Sequence, residues 1–265
     1  MSRTLAQAFG EAKAESRAAL IGYLPAGFPT RDSGIELVAA MVEGGVDIVE
    51  VGLPYSDPLM DGPDIQAAVD IALRGGTTTD VVLETVAAVA TTRAATVVMS
   101  YWNPIERYGV DRFAAGMQQA GGVGVITPDL TPEEAGPWRA ATDAHGLDRI
   151  FLVAPSSTDE RMRTVVEATS GFLYAASLMG VTGARAQMSD AAPDLVRRAR
   201  AITDLPIAVG LGVSTGEQAR GVAGYADGVI VGSAFVRRIL HADNHAAACA
   251  AVHALAKELA EGVRG

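Results

Sequence analysis

Short, almost wholly apolar runs alternate along the chain with longer stretches in which apolar residues recur every three or four positions. The runs predict strands over 19–24, 48–52, 96–101, 124–127, 150–153, 172–176, 207–210 and 228–231. The longer stretches predict helices over 33–43, 80–91, 111–119, 133–145, 159–169, 191–202 and 217–223, with an amphipathic helix before the first strand and a last helix holding Cys249 and Lys257. Strands this uniformly apolar are buried on both faces, as parallel strands covered by helices are. Eight of them with helices between, and no Pro/Gly/Ser-rich linker in 265 residues, predict a single domain over 1–265 and favour one closed (β/α)8 barrel. An open doubly wound sheet is the runner-up. Polar residues and glycines gather at the carboxyl ends of the strands, which a barrel brings to one face.

One strand breaks its own pattern. In Ile48-Val-Glu-Val-Gly52 a carboxylate stands inside an apolar run, where it is costly unless paired, hydrogen-bonded or protonated. The loop that follows is stiffened by Pro54, Pro58 and Pro63 and carries Ser56, Asp57 and Asp61. Two readings stand at this point: Glu50 as a structural carboxylate satisfied by its surroundings, or Glu50 and Asp61 as an acid–base pair at a barrel mouth. Three glycine-bearing turns, 179–185, 209–214 and 231–234, follow the sixth, seventh and eighth strands. In a barrel they converge, and their amides with the helix start after Ser233 suit a phosphate. Gly210, Gly212 and Gly216 miss the spacing of a dinucleotide fingerprint.

Composition excludes several classes. A net charge of −10 with no arginine cluster above three residues argues against nucleic acid. No apolar run reaches membrane-spanning length, and Glu11, Lys13 and Glu15 interrupt the amino-terminal segment, so the expected location is the cytoplasm, with no membrane association. Cys249 is the sole cysteine and reads as a buried thiol outside any disulfide framework. Lys13 and Lys257 are the only lysines, and neither follows a predicted strand where an imine-forming lysine would sit. Of the four histidines, His241 and His245 have a helical ligand spacing, but no Glu lies between them and no third ligand is evident, so no metal site is expected.

Distinctive strings complete the reading. They are Pro54-Tyr-Ser-Asp-Pro-Leu-Met-Asp-Gly-Pro63 with Ile65-Gln66 after it, Tyr101-Trp-Asn-Pro104, Pro128-Asp-Leu130, Met179-Gly-Val-Thr-Gly183, and the paired Gly-x-Gly and Gly-Ser turns. On these the chain, from about residue 20 to 240, resembles the tryptophan synthase alpha chains. Thr127, Thr131 and Trp102 depart from that family's pattern. The resemblance implies a TIM barrel with an extra amino-terminal helix and extra short helices after strands 2 and 8. It implies retro-aldol cleavage of indole-3-glycerol phosphate to indole and glyceraldehyde 3-phosphate, in the last steps of tryptophan biosynthesis. Glu50 would protonate the ring carbon bearing the side chain, Asp61 would stabilise the ring nitrogen, and Tyr174 would lie close to the glycerol phosphate chain and Glu50. The amides of Gly183, Gly212, Gly232 and Ser233 would hold the phosphate, Thr182 would be a further substrate-binding residue, and Tyr23, Ile65, Ile126 and Leu211 would surround the indole.

The same resemblance implies no cofactor in this chain. Pyridoxal phosphate is expected on a beta-chain partner, in a two-plus-two complex met by Ser56, Asp57, Pro58, Asn103 and Pro104. The segment 178–189, with Arg185, reads as a lid over bound ligand. Alternatives are a free-standing lyase of the same reaction without the partner, a phosphosugar isomerase, and a non-catalytic phosphate-binding subunit. The pairing of Glu50 with Asp61 weighs against the last two.

Overall fold

The computed structural model describes residues 2–176 and 191–265. The first half of the chain runs α1 (Leu5–Ala14), β1 (Ala19–Pro25), α2 (Arg31–Gly44), β2 (Ile48–Gly52), α3 (Pro63–Arg74), α4 (Thr79–Val89), β3 (Ala95–Met99), α5 (Trp102–Tyr108), α6 (Val110–Ala120) and β4 (Gly124–Ile126). It continues through α7 (Gly136–His145), β5 (Asp148–Ile150), β6 (Leu152–Val153), α8 (Asp159–Ala168), β7 (Leu173–Ala176) and α9 (Ala191–Arg200). The last elements are β8 (Ile207–Gly210), α10 (Gly216–Ala223), β9 (Gly228–Val231), α11 (Ser233–Leu240) and α12 (His245–Gly262).

All strand pairs are parallel, in the order β5-β4-β3-β2-β1-β9-β8-β7-β6. The two outermost strands are consecutive in the chain, separated by Phe151, so the ring closes through the backbone itself. The expected eight staves are therefore present, with the fifth bent at Phe151, whose carbonyl accepts the amide of Tyr174 at 3.2 Å. Two boundaries differ from the periodicity. The third strand ends at Met99 rather than residue 101, because Tyr101 caps the start of α5, a seven-residue helix too short to show a repeat. After β2 the chain makes two helices, the first twelve residues long with Pro63 at its start, where a proline costs no hydrogen bond.

Alternation within the strands sorts side chains into two apolar clusters. Residues such as Leu20, Val49, Val51, Val98, Val209 and Val229 pack outward against the helices. Ala19, Ile21, Ile48, Val97, Ile126, Ala208 and Ile230 fill the barrel interior, and α1 closes its amino-terminal mouth with Leu5, Ala8, Phe9 and Ala12. The Phe9 and Phe172 rings meet there at 5.5 Å between centroids. A capping box between Thr4 and Gln7 fixes where this plug begins.

The plug is tied to the barrel floor by a buried ion pair. Arg17 donates from Nη1 to Asp47 Oδ2 at 2.6 Å and from Nη2 to Asp47 Oδ1 at 3.0 Å, and the Leu20 amide donates to Asp47 Oδ2 at 2.9 Å. Both side chains are nearly closed off from solvent, at 4% and 6% exposure. Breaking such a pair from one side leaves a desolvated charge. Asp47→Ala is expected to cost about 3 kcal/mol in urea unfolding, with Glu15 retaining part of the interaction with Arg17. A loss under about 1 kcal/mol would show that the pair does not anchor the plug.

Candidate active site

Ile48 on β2 faces the barrel interior, so Glu50, two residues on, faces it as well. Its neighbours in register are Tyr23 on β1 and Val97 on β3. The side chain is 1% exposed, and Oε2 has no hydrogen-bond partner among the described residues. Burial, and then the charge of Asp61, push the carboxyl up to about 8. Glu50 therefore keeps its proton at neutral pH. A structural carboxylate would be met by amides or an arginine, and none is present around this one among the described residues.

Asp61 lies on the loop between β2 and α3, half-buried. Its carboxyl is raised by burial, an effect opposed by a hydrogen bond that the Tyr101 hydroxyl donates to Oδ1 at 3.4 Å. The same hydroxyl accepts the amides of Leu59 at 3.1 Å and Met60 at 2.9 Å, and Gln66 Nε2 donates to the Asp61 carbonyl at 2.7 Å. One tyrosine at the end of β3 thus holds three successive loop residues, and burial pushes its hydroxyl up to about 12. The Tyr55 ring packs on Tyr101 at 5.5 Å, with Asn103 Nδ2 donating to the Tyr55 hydroxyl at 3.0 Å. Asp129 accepts the Trp102 amide at 2.9 Å, which couples the loop after β4 to the start of α5. The unexpected Trp102 packs edge-on against Trp138 at 5.9 Å.

Tyr23 and Tyr174 complete the cluster. Burial raises both hydroxyls, with Asp61 and then Glu50 adding to the effect at Tyr23, and Glu50 adding to it at Tyr174. Glycines make room for these rings. A Cβ at Gly52 would stand 2.4 Å from the Tyr23 hydroxyl, and one at Gly210 2.6 Å from that of Tyr174. Gly210, first read as part of a phosphate turn, has this space-making role at the end of β8.

The phosphate candidates sit at the neighbouring strand ends. Gly212 has φ +68°, a conformation that favours glycine, and open space where a side chain would be. Gly232 lies against the Tyr23 ring and precedes α11, which begins at Ser233 with no side-chain cap on its amides. Thr182, Gly183 and the proposed lid over 178–189 lie outside the described residues. Of the apolar candidates, Ile126 belongs to the interior cluster, against which Tyr174 also packs. Ile65, buried on α3, shares the outer cluster with Tyr23, and Leu211 packs at its edge.

Sequence reasoning singled out Glu50, Asp61, Tyr23 and Tyr174, which the structure brings together. It missed Tyr101 as the residue that holds the loop, although Tyr101 stands in a string already marked as distinctive. The arrangement offers a protonated carboxyl in a buried, apolar interior, an ionisable carboxyl at its rim, and backbone amides at the neighbouring strand ends for an anion.

Comparisons with known proteins agree with one another. A family model described as tryptophan synthase alpha chain matches residues 9–264. The tryptophan synthase alpha chain of Acidothermus cellulolyticus is 60% identical over 258 residues, covering 97% of this chain and 96% of that one. That of Thermobifida fusca is 61% identical over 263 residues, covering 98% and 97%. A solved tryptophan synthase from Mycobacterium tuberculosis has a TM-score of 0.93 at 52% identity, with both chains covered in full. A tryptophan synthase subunit alpha from Legionella pneumophila has a TM-score of 0.90 at 34% identity, covering 99% of this chain and 98% of that one.

The raised Glu50 carboxyl makes stability depend on pH with a definite sign. Its folded value, about 8, lies above the ordinary 4.5, so its contribution is fully present below about 4.5 and lost as pH rises through about 8. Glu50→Gln removes that loss. The variant should gain on the parent protein by a few kcal/mol between about pH 5 and about pH 8.5, at about 1.4 kcal/mol per pH unit inside the window. Unfolding curves at the two pH values check this, and parallel profiles would show that Glu50 is not perturbed.

Proposed function

The chain belongs to the tryptophan synthase alpha chain family, and from that premise we propose that Glu50 and Asp61 carry its lyase chemistry on indole-3-glycerol phosphate. The observation that carries the assignment is the protonated Glu50 carboxyl inside the barrel, its Oε2 without a hydrogen-bond partner among the described residues, with Asp61 close enough for its charge to be felt. The bond to be broken joins the indole ring to a carbon bearing a hydroxyl. Without an imine lysine, the ring itself has to take up the electron pair, and it does so once protonated at the carbon that bears the side chain. Glu50 supplies that proton. Asp61, ionised, balances the positive charge that appears on the ring nitrogen. Loss of the hydroxyl proton then breaks the carbon–carbon bond, releasing glyceraldehyde 3-phosphate and returning the electrons to the ring as indole. The Glu50 carboxylate left by the first step is the base that accepts this proton, so the site is restored at the end.

Magnitudes favour this division of labour. Positioned acid–base catalysis contributes about 10²–10⁴ per group, or roughly 3–5 kcal/mol. A site that excludes water strengthens the attraction between Asp61 and the ring cation. Tyr174, beside Glu50, and Tyr23, in register with it, line the pocket, with Ile126, Ile65 and Leu211 as its apolar boundary. The phosphate is assigned to the amides of Gly212, Gly232 and Ser233 with the Ser233 hydroxyl, and, outside the described residues, to Gly183, with Thr182 beside it as a further substrate-binding residue.

The reaction so written uses no cofactor in this chain. Pyridoxal phosphate belongs to the beta chain, which takes indole on to tryptophan in a two-plus-two complex. The docking surface is assigned to the loop bearing Ser56, Asp57 and Pro58 and to Asn103-Pro104. Leu59, in the same loop, is 72% exposed, an apolar side chain suited to cover by a partner. No helix among the described residues is long and apolar enough to cross a membrane. The assigned location is the cytoplasm.

Glu50→Gln should lower indole release by at least about a hundredfold with the fold intact, and Asp61→Asn by a comparable factor. In the unmodified protein, kcat/KM should fall as pH rises through about 8, where Glu50 loses its proton. It should fall again at low pH, as Asp61 gains one. Near-normal turnover of Glu50→Gln would show that the acid is elsewhere.

The loop that docks the partner also carries Asp61, so docking and chemistry are coupled. Asp57→Ala should reduce the activation produced by a beta chain more than it reduces the activity of the isolated chain. Titrations of both proteins with beta chain, read as indole release, check this, and superimposable activation curves would remove Asp57 from the coupling.

A further inference from the structure

In the outer helical layer, α2 and α12 run against each other at close range. A Cβ at Gly44 would stand 2.5 Å from Ala256 Cβ, and one at Gly45 2.6 Å from Ala260 Cβ, so small residues set the spacing of the pair. At one end of this contact Glu36 of α2 meets His245 and Cys249 of α12. The three ligand atoms lie within 4.8 Å of one another. Glu36 Oε2 is 2.5 Å from His245 Nε2, and Cys249 Sγ is 3.5 Å from that same nitrogen. The elements are firm here: Asn244 caps α12 by accepting the Ala247 amide at 3.0 Å, which fixes the turn that presents His245.

Hydrogen bonding pairs His245 Nε2 with only one of its two neighbours in each tautomer. If Nε2 carries a proton, it donates to the carboxylate and leaves the thiol sulfur at best a weak acceptor. If Nε2 carries a lone pair, the thiol can donate to it, and the carboxylate then faces the ring nitrogen lone pair to lone pair. A divalent cation between the three atoms satisfies all of them at once. We propose that Glu36, His245 and Cys249 form a transition-metal site of the zinc class, with water in the fourth position, clipping α2 to α12.

The donor set selects the ion. Thiolate with imidazole and one carboxylate suits zinc and cobalt, whereas magnesium and calcium take oxygen ligands. With Zn–S about 2.3 Å and Zn–N about 2.1 Å, a tetrahedral site separates sulfur from nitrogen by about 3.6 Å, close to the distance between Cys249 and His245. The carboxylate has to withdraw by somewhat under about 1 Å to reach its own tetrahedral separation from the nitrogen. Its side chain is 65% exposed and free to do so. Helical spacing pairs His245 with His241, and on that pairing the sequence leads to no expected metal site. The ligands of His245 are one turn later on its own helix and on a helix 209 residues earlier in the chain.

Cobalt(II) titrated into the reduced, full-length protein tests the site. Cys249 is the sole cysteine, so any thiolate-to-cobalt charge-transfer band reports on it alone. The expected result is one equivalent of tetrahedral cobalt, displaced by zinc, and a rise in the thermal midpoint on adding zinc. Cys249→Ser should abolish the band and the rise. His245→Ala should weaken cobalt and zinc binding at least tenfold, and Glu36→Gln severalfold. Absence of the band in the unmodified protein would overturn the proposal. So would unchanged affinity in His245→Ala, because the thiol would then be binding metal without the other two residues.

Discussion

The active-site arrangement depends most on the burial of one carboxyl, Glu50. Glu50 stands inside the barrel, 1% exposed, with an oxygen that no described residue meets. An ionised carboxylate there would be heavily penalised, so the group holds its proton up to about pH 8. That penalty is also what makes it an acid at neutral pH. The rest of the barrel keeps the interior closed and apolar: α1 plugs one end, the alternating strand residues fill the middle, and Tyr23 and Tyr174 stand beside Glu50 near the other end.

Opposite requirements fall on the second carboxyl. In the proposed reaction Asp61 is ionised to balance a cation, and it sits on a loop at the rim, where it is half-buried and receives a hydrogen bond from Tyr101. Two carboxyls with different tasks are thus separated by environment: one inside a strand layer, one on a loop whose backbone is held by a tyrosine hydroxyl. The charge of Asp61 in turn raises Glu50. Any movement of this loop therefore acts on both groups.

Glu50 was legible in the sequence because an ionisable residue in a short apolar run is conspicuous, and the eight staves were legible because buried parallel strands are uniformly apolar. The bend at Phe151 was not, since an apolar run does not show where its hydrogen-bonded neighbour changes. Tyr101 was seen in a motif but not as the holder of the loop, because its partners lie about 40 residues away and the bonds run to backbone amides, which leave no trace in side-chain identity. In the sequence Gly52 reads only as the end of an apolar run and Gly210 as part of a phosphate turn, and their function of admitting tyrosine rings appears once β1 and β7 are set beside them. The cluster of Glu36, His245 and Cys249 joins positions 209 residues apart, a proximity that follows from the packing of α12 on α2.

The account stands on the protonation state of Glu50, which is measurable directly. With glutamate labelled at the side-chain carboxyl carbon, the Glu50 resonance, assigned by its loss in Glu50→Gln, can be followed against pH in the unliganded protein. The account predicts a midpoint near 8. A midpoint near the ordinary value of 4.5 would mean that the group is ionised at neutral pH, and it would contradict the assignment of Glu50 as the acid.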